Sequence, residues 1–153
     1  MKVPCISLWQ PWAWWIMKRW KPLETRKHAR FHWLEGKTIG IHAAKKWDKY
    51  AMKLALPYLD MDQIMDTHAY FEHREHGLLG TAEVKRFYQK LDDQQGSVAL
   101  CPTGHWLSGL LLGSVKSFDK PIEIPGRQGV WYEEIAIPWE KGGETSCQLT
   151  ETR

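Results

Sequence analysis

The sequence predicts an α+β domain: a small, barrel-like sheet of mostly antiparallel strands with helices packed around it. Three observations carry this. Helical hydrophobic spacing dominates the early part of the chain, and strand-like alternation dominates from residue 77 onward. The 153 residues fit one domain, long enough to bury a core without disulfides or metals. The composition, 43% hydrophobic and 25% charged, is that of a globular chain.

Residues 3 to 8 read as the first strand, with Pro4 at its start, where a missing N–H is tolerated. Pro11 suits the first turn of a helix. Trp9 and Trp14 flank that start at the positions of a hydrophobic staple. Ala13, Ile16, Met17 and Trp20 follow the helical stripe, Trp12 and Trp15 lie off it, and Pro22 limits the helix to about residue 20. Such a helix is either largely buried or presents aromatics to a ligand. Residues 37 to 44 read as a second strand with Ile39, Ile41 and Ala43 on one side. Residues 47 to 58 and 61 to 68 read as helices. Residues 77 to 88, 109 to 118 and 130 to 137 read as strands, with a Pro125-Gly126 loop at 121 to 129. The domain is expected to span 1–140, followed by a mobile polar tail, 141–153.

No apolar run approaches the ~18 to 20 residues that span a bilayer. Lys18, Arg19 and Lys21 follow rather than precede the first apolar stretch, the reverse of a signal peptide. A cytoplasmic protein without membrane contact is expected. Cys5, Cys101 and Cys147 are sparse, odd in number and without a CxxC pair, so neither a disulfide framework nor a structural zinc site is expected. His73 and His76 are spaced as two ligands on one helical turn, but no third is evident, so no metal is assigned. His42, at a strand end, reads more simply as a structural histidine.

Charge and aromatic content are uneven. Residues 18 to 49 carry ten Lys or Arg against three acids, net +7, although the chain as a whole carries only +3. Five of the ten tryptophans fall between residues 9 and 20. Large rings most simply fill the core, but a basic stretch beside clustered aromatics is also the footprint of a nucleic-acid binder. The focus is Lys21-Pro22-Leu23-Glu24-Thr25-Arg26. If extended, it puts Glu24 and Arg26 on one face. The plain alternative is a surface salt bridge of at most ~1 kcal/mol. The functional reading has Lys21 and Arg26 fixing an anion or carbonyl while Glu24 accepts a hydrogen bond or a proton. Glu83 either lies on the solvated side with Lys85 or faces Lys21 across a cleft. Arg127-Gln128-Gly129, after a Pro-Gly turn, supplies side chains suited to planar contacts with bases or phosphates, or is an ordinary hairpin connection.

Five stretches in order resemble one known family. They are Ile6-Ser7-Leu8-Trp9-Gln10-Pro11-Trp12-Ala13, the Lys21–Arg26 run, Gly40-Ile41-His42-Ala43-Ala44-Lys45, Gly80-Thr81-Ala82-Glu83-Val84 and Pro125-Gly126-Arg127-Gln128-Gly129-Val130-Trp131. Together, over about residues 3 to 137, they resemble the ASCH family of the PUA-like superfamily. The family pattern Gly-x-Lys-x-x-Glu-x-Arg matches at Lys21, Glu24 and Arg26, with Arg19 in place of the glycine. The resemblance implies a PUA-like β-barrel and a cleft lined by the Lys-Glu-Arg motif. It also implies RNA or nucleic-acid binding. Some family members are ribonucleases, and short ones are amidohydrolases acting on N4-acetylcytidine. Those amidohydrolases match this chain at Lys21 and Glu83 but carry a threonine in place of Glu24.

The leading expectation is a monomeric binder of RNA or nucleosides. Ser7, Trp9, Gln10, Trp12, Arg26, Lys45, Arg127 and Gln128 would contact the ligand. The alternative is a hydrolase in the same cleft, with Lys21, Glu24 and Glu83 catalytic and no cofactor, except a divalent metal if it is a ribonuclease. A protein-interaction module built on the aromatic surface is the third reading.

Overall fold

In the computed structural model the structure describes residues 1–136 and the short strand Leu149–Thr150. Among the described residues there are seven strands and four α-helices. In chain order these are β1 (Lys2–Gln10), α1 (Trp12–Met17), β2 (Leu23–Arg26), β3 (Thr38–Trp47), α2 (Ala51–Ala55), α3 (Met61–Glu72), β4 (Gly77–Tyr88), α4 (Gly96–Ala99), β5 (Ser108–Ile122), β6 (Trp131–Glu134) and β7 (Leu149–Thr150). The strands form one mixed sheet in the order β2-β5-β4-β3-β1-β6, with β7 paired to β5. The chain is α+β, as its pattern predicts, and few of its residues are helical.

β1 and β3 run parallel, with Ser7 opposite His42, and the other pairs are antiparallel. A parallel pair needs a crossover, and α1, β2 and a 3₁₀ turn at His32–Leu34 supply it. Both faces of this central pair are covered. Val3 to Ile6 and Ile39 to Ala43 are buried without interruption, the pattern of a strand buried on both faces rather than the one-sided alternation expected for 37 to 44. Ile6, Leu8, Ile39, Ile41, Ala82, Val84, Leu110 and Leu112 fill one core with Ala13, Ile16 and Met17 of α1. Val3, Cys5, Leu78, Trp131 and Ile135 form the core on the other side. Cys5 is a core residue as expected, and its burial pushes the thiol up to about 11.

α1 is shorter than expected and starts differently. Pro11 is its N-cap, and the Trp14 N–H is received by the Gln10 side chain. No Trp9–Trp14 staple forms: Trp14 stacks on Tyr70 of α3 at 4.1 Å, and Trp9 stands exposed beside Lys46. Trp15, off the expected stripe, is fully buried among Ala51, Ala55, Leu59 and Leu100, and its indole N–H reaches Thr67. At about 25 cal/mol per Å², an indole ring of roughly 150–250 Å² contributes on the order of 4–6 kcal/mol before ordering costs. After α1 the chain turns through Arg19 at φ 63°, the left-handed region that favours glycine. The Arg19 guanidinium is held by the Val115 carbonyl at 2.9 Å.

The helix expected over 47 to 58 forms over its last eight residues and starts late. Trp47 completes β3, and only Ala51–Ala55 and a 3₁₀ turn at Leu56–Tyr58 are helical. α3 runs four residues past the expected end, opened by an Asp60/Gln63 capping box. It stops at Glu72, so His73 and His76 do not share a helical turn. The end of the last expected strand at Ile137, the 1–140 boundary, Cys147 and most of the expected tail lie outside the described residues. Leu149–Thr150 pairs with Phe118 and Ser117.

Candidate functional site

β2 forms one edge of the sheet path and β1 lies next to the other, yet their side chains line one cavity. The sheet therefore curves round so that strands separated by β5, β4 and β3 face each other across a cleft. The cleft has two lobes that share Ser7, Trp9 and Arg26.

The first lobe, about 590 Å³, is aromatic, lined by Trp9, Trp12, Trp106, Leu54, Leu107 and Cys101, with Lys21, Glu24 and Arg26 at its base. Glu24 and Arg26 sit two apart on β2 and so project to the same side. Leu23 and Leu110 bury the strand, and Glu24, only 5% exposed, is carried in with it. One Glu24 oxygen accepts the Thr25 N–H at 2.8 Å, while its Oε2 is buried without a partner. The Arg26 Nε is likewise buried and unpartnered, and its guanidinium lies 5.1 Å over the Phe31 ring. Leaving such groups unpaired costs about 1–3 kcal/mol each.

Lys21 lies deep in the fold. It is 1% exposed, and its ammonium donates to the carbonyls of Leu23 at 2.8 Å and Ala99 at 2.6 Å. It lies 3.9 Å from Glu24 and 5.1 Å over the Trp12 ring. Burial holds the ammonium below the usual lysine range, against the opposing pull of Glu24. Trp12 is fixed by its indole N–H to Asp48 at 2.8 Å and packs edge-on against Trp15. Trp9 and Trp106 are the exposed rings here: they are 46% and 57% exposed, and Lys46 covers one face of Trp9 at 3.9 Å.

The second lobe, about 560 Å³, is polar and basic. Lys45, Arg127 and Gln128 line it with His42, His76 and the backbone of the 124–129 loop. At the junction, Ser7 Oγ and His42 Nδ1 are 2.8 Å apart, and His42 Nε2 lies 2.8 Å from the Ile124 carbonyl. A carbonyl only accepts, so Nε2 carries the proton, and the neutral ring receives the Ser7 hydroxyl at Nδ1. Burial holds the imidazole below its usual range, which keeps it neutral.

Of the residues singled out from the sequence, nine therefore meet in this cleft: Ser7, Trp9, Trp12, Lys21, Glu24, Arg26, Lys45, Arg127 and Gln128. Two do not. Gln10 is fully buried, and its amide donates to the Tyr70 hydroxyl at 2.9 Å and the Glu75 carbonyl at 3.0 Å while accepting from Trp14. Its role is to join β1, α1 and α3. Glu83 pairs with Lys85 at 2.9 Å on the outer face of β4, and this pairing holds its carboxyl below the usual range. It lines neither lobe, so it is no partner for Lys21. The sequence reading missed Trp106, Cys101 and Leu107, although an aromatic just after the Pro102-Thr103-Gly104 stretch was a usable signal. It also passed over the Ser7–His42 contact, which depends on the β1–β3 pairing. Among the described residues no three His, Cys, Asp or Glu side chains are grouped to hold a metal, and no helix is long and apolar enough to cross a membrane.

Fold and cleft together define the class of molecule: a curved-sheet α+β domain with an aromatic, charge-floored cavity opening into a basic one. In comparisons with known proteins, no family model matches the chain and no curated protein matches it.

Proposed function

We propose that this chain is an ASCH-like binder of RNA or of a modified nucleoside, with its curved sheet forming a PUA-like barrel. The observation that carries this reading is the Glu24 carboxylate set two residues from the Arg26 guanidinium on β2, both lining the aromatic lobe. A carboxylate oxygen needs a donor and a guanidinium N–H needs an acceptor. The edge of a nucleobase presents both, side by side, on a flat apolar ring. Trp9 and Trp106 supply exposed faces for that ring, and stacking of this kind contributes ~1–3 kcal/mol per base. Lys45, Arg127 and Gln128 in the adjoining lobe suit the sugar and phosphates. The curvature that brings β2 against β1 supports the barrel.

Calorimetric titration with the four nucleosides, their monophosphates and short single-stranded RNA, over a salt series, tests the proposal. Expected are measurable binding of at least one base, tighter binding of its phosphorylated form, and affinity that falls with salt, with a slope of about 0.7 per phosphate contact. Absence of binding by all of these, or RNA affinity indifferent to salt, rejects it.

A further inference from the structure

We infer that Ser7 and His42 form a nucleophile–base pair, making the junction of the two lobes an acyl-transfer site for an ester or amide held in the cleft. The pair was assigned no joint role in the binding reading, and it stands whether or not the aromatic lobe holds a base. Four features carry it. Ser7 Oγ is 2.8 Å from His42 Nδ1, within the reach a general base requires. The Ile124 carbonyl holds the opposite ring nitrogen at 2.8 Å, which fixes both ring orientation and tautomer. The serine is partly exposed and lines both lobes, whereas the histidine is buried behind it. Finally, the Pro125-Gly126 turn passes directly over the pair. A Cβ on Gly126 would stand 2.9 Å from Ser7 Oγ and 2.7 Å from His42 Cε1, so the loop approaches this closely only with glycine there.

Burial holds His42 below its usual range, countered by its bond to Ile124; among the charged groups, His76 pulls it down and Glu133 up, while Lys45 and Arg127 line the same lobe. The ring is thus a ready proton acceptor at neutral pH. In the first step Ser7 Oγ bonds to the acyl carbon as its proton passes to His42 Nδ1. The resulting oxyanion is stabilised by the cations of the basic lobe. Collapse breaks the bond to the leaving oxygen or nitrogen, which takes the proton back from His42. Water then attacks the acyl-Ser7 ester and gives a proton to His42. The bond to Oγ breaks, and the serine regains its hydrogen. One water is consumed, and a carboxylic acid and an alcohol or amine are released.

The test uses a fluorophosphonate, which transfers phosphorus to an activated serine with loss of fluoride. The tryptic peptide 3–18 has Ser7 as its one serine, so mass spectrometry reads the site. Expected is labelling of Ser7 that slows roughly 100-fold or more in His42→Gln, the scale of a lost general base. A measurement on the unaltered protein guards against a misfolded variant. The labelling rate should be level above about pH 6.5, the ordinary histidine value from which His42 is depressed, whereas an unassisted hydroxyl reacts about tenfold faster per pH unit. No label on Ser7, labelling as fast in His42→Gln, or a rate climbing steadily with pH overturns the inference. Labelling is read with no nucleoside present, so its outcome is separate from that of the binding titrations.

Discussion

Lys21 Nζ lies 3.9 Å from the Glu24 carboxylate, with only 1% of the lysine and 7% of the glutamate side chain exposed. Two backbone carbonyls share the same ammonium. A charge pair at this depth is stable only as a unit, because each partner compensates the other's desolvation.

Lys21→Met should therefore lower stability by about 3–5 kcal/mol, since it leaves the Glu24 charge buried alone. Adding Glu24→Gln should recover part of that loss. Urea unfolding of the two singles and the double gives the comparison. A loss under about 1 kcal/mol for Lys21→Met would mean that the pair is solvated after all.

The exposed rings should behave differently from the fixed ones. Trp9→Ala and Trp106→Ala are expected to leave the melting temperature nearly unchanged and to weaken nucleoside or RNA binding about tenfold, one stacking contact of ~1.4 kcal/mol. Trp12→Ala removes a ring packed on Trp15 and Lys21 and should lower the melting temperature as well. Equal effects of all three on stability would count against the division.

Gln10→Leu and Glu83→Gln form a contrasting pair. Gln10 bonds three groups from inside the core, so its loss should cost about 1–3 kcal/mol with no change in ligand affinity. Glu83→Gln should change neither stability nor binding, because its ion pair with Lys85 is at the surface. Binding lost on Glu83→Gln would return this carboxylate to the site.

His42 gives a pH signature. Its folded-state pKa is below the ordinary 6.5, so the unfolded chain takes up the proton first as pH falls. The stability that neutral His42 contributes is present above 6.5 and is lost as pH falls from there through the folded value. The stability difference between the wild-type protein and His42→Gln should accordingly rise with pH up to that point and flatten above it. A difference that grows toward acid pH would mean that the folded protein holds a charged imidazole.

The sequence by itself determined the local elements and the charged motif. The run at residues 77 to 88 was legible as β4, with Val84 buried between Glu83 and Lys85, although 77 to 82 are buried on both faces; Pro22 set only an outer limit for α1, which ends at Met17. Lys21, Glu24 and Arg26 were legible as a group because they lie close in the chain. Only the tertiary structure decided which neighbours those residues meet. Parallel pairing set Ser7 opposite His42, although 35 residues separate them. The curvature of the sheet brought β2 to β1, and a distant loop added Trp106. Gln10 and Trp12 stand two apart in one aromatic motif, yet one is consumed by core hydrogen bonds and the other lines the cleft. Whether a polar side chain binds a ligand or ties the fold together depends on which partners surround it, and those partners are fixed by contacts far apart in the chain.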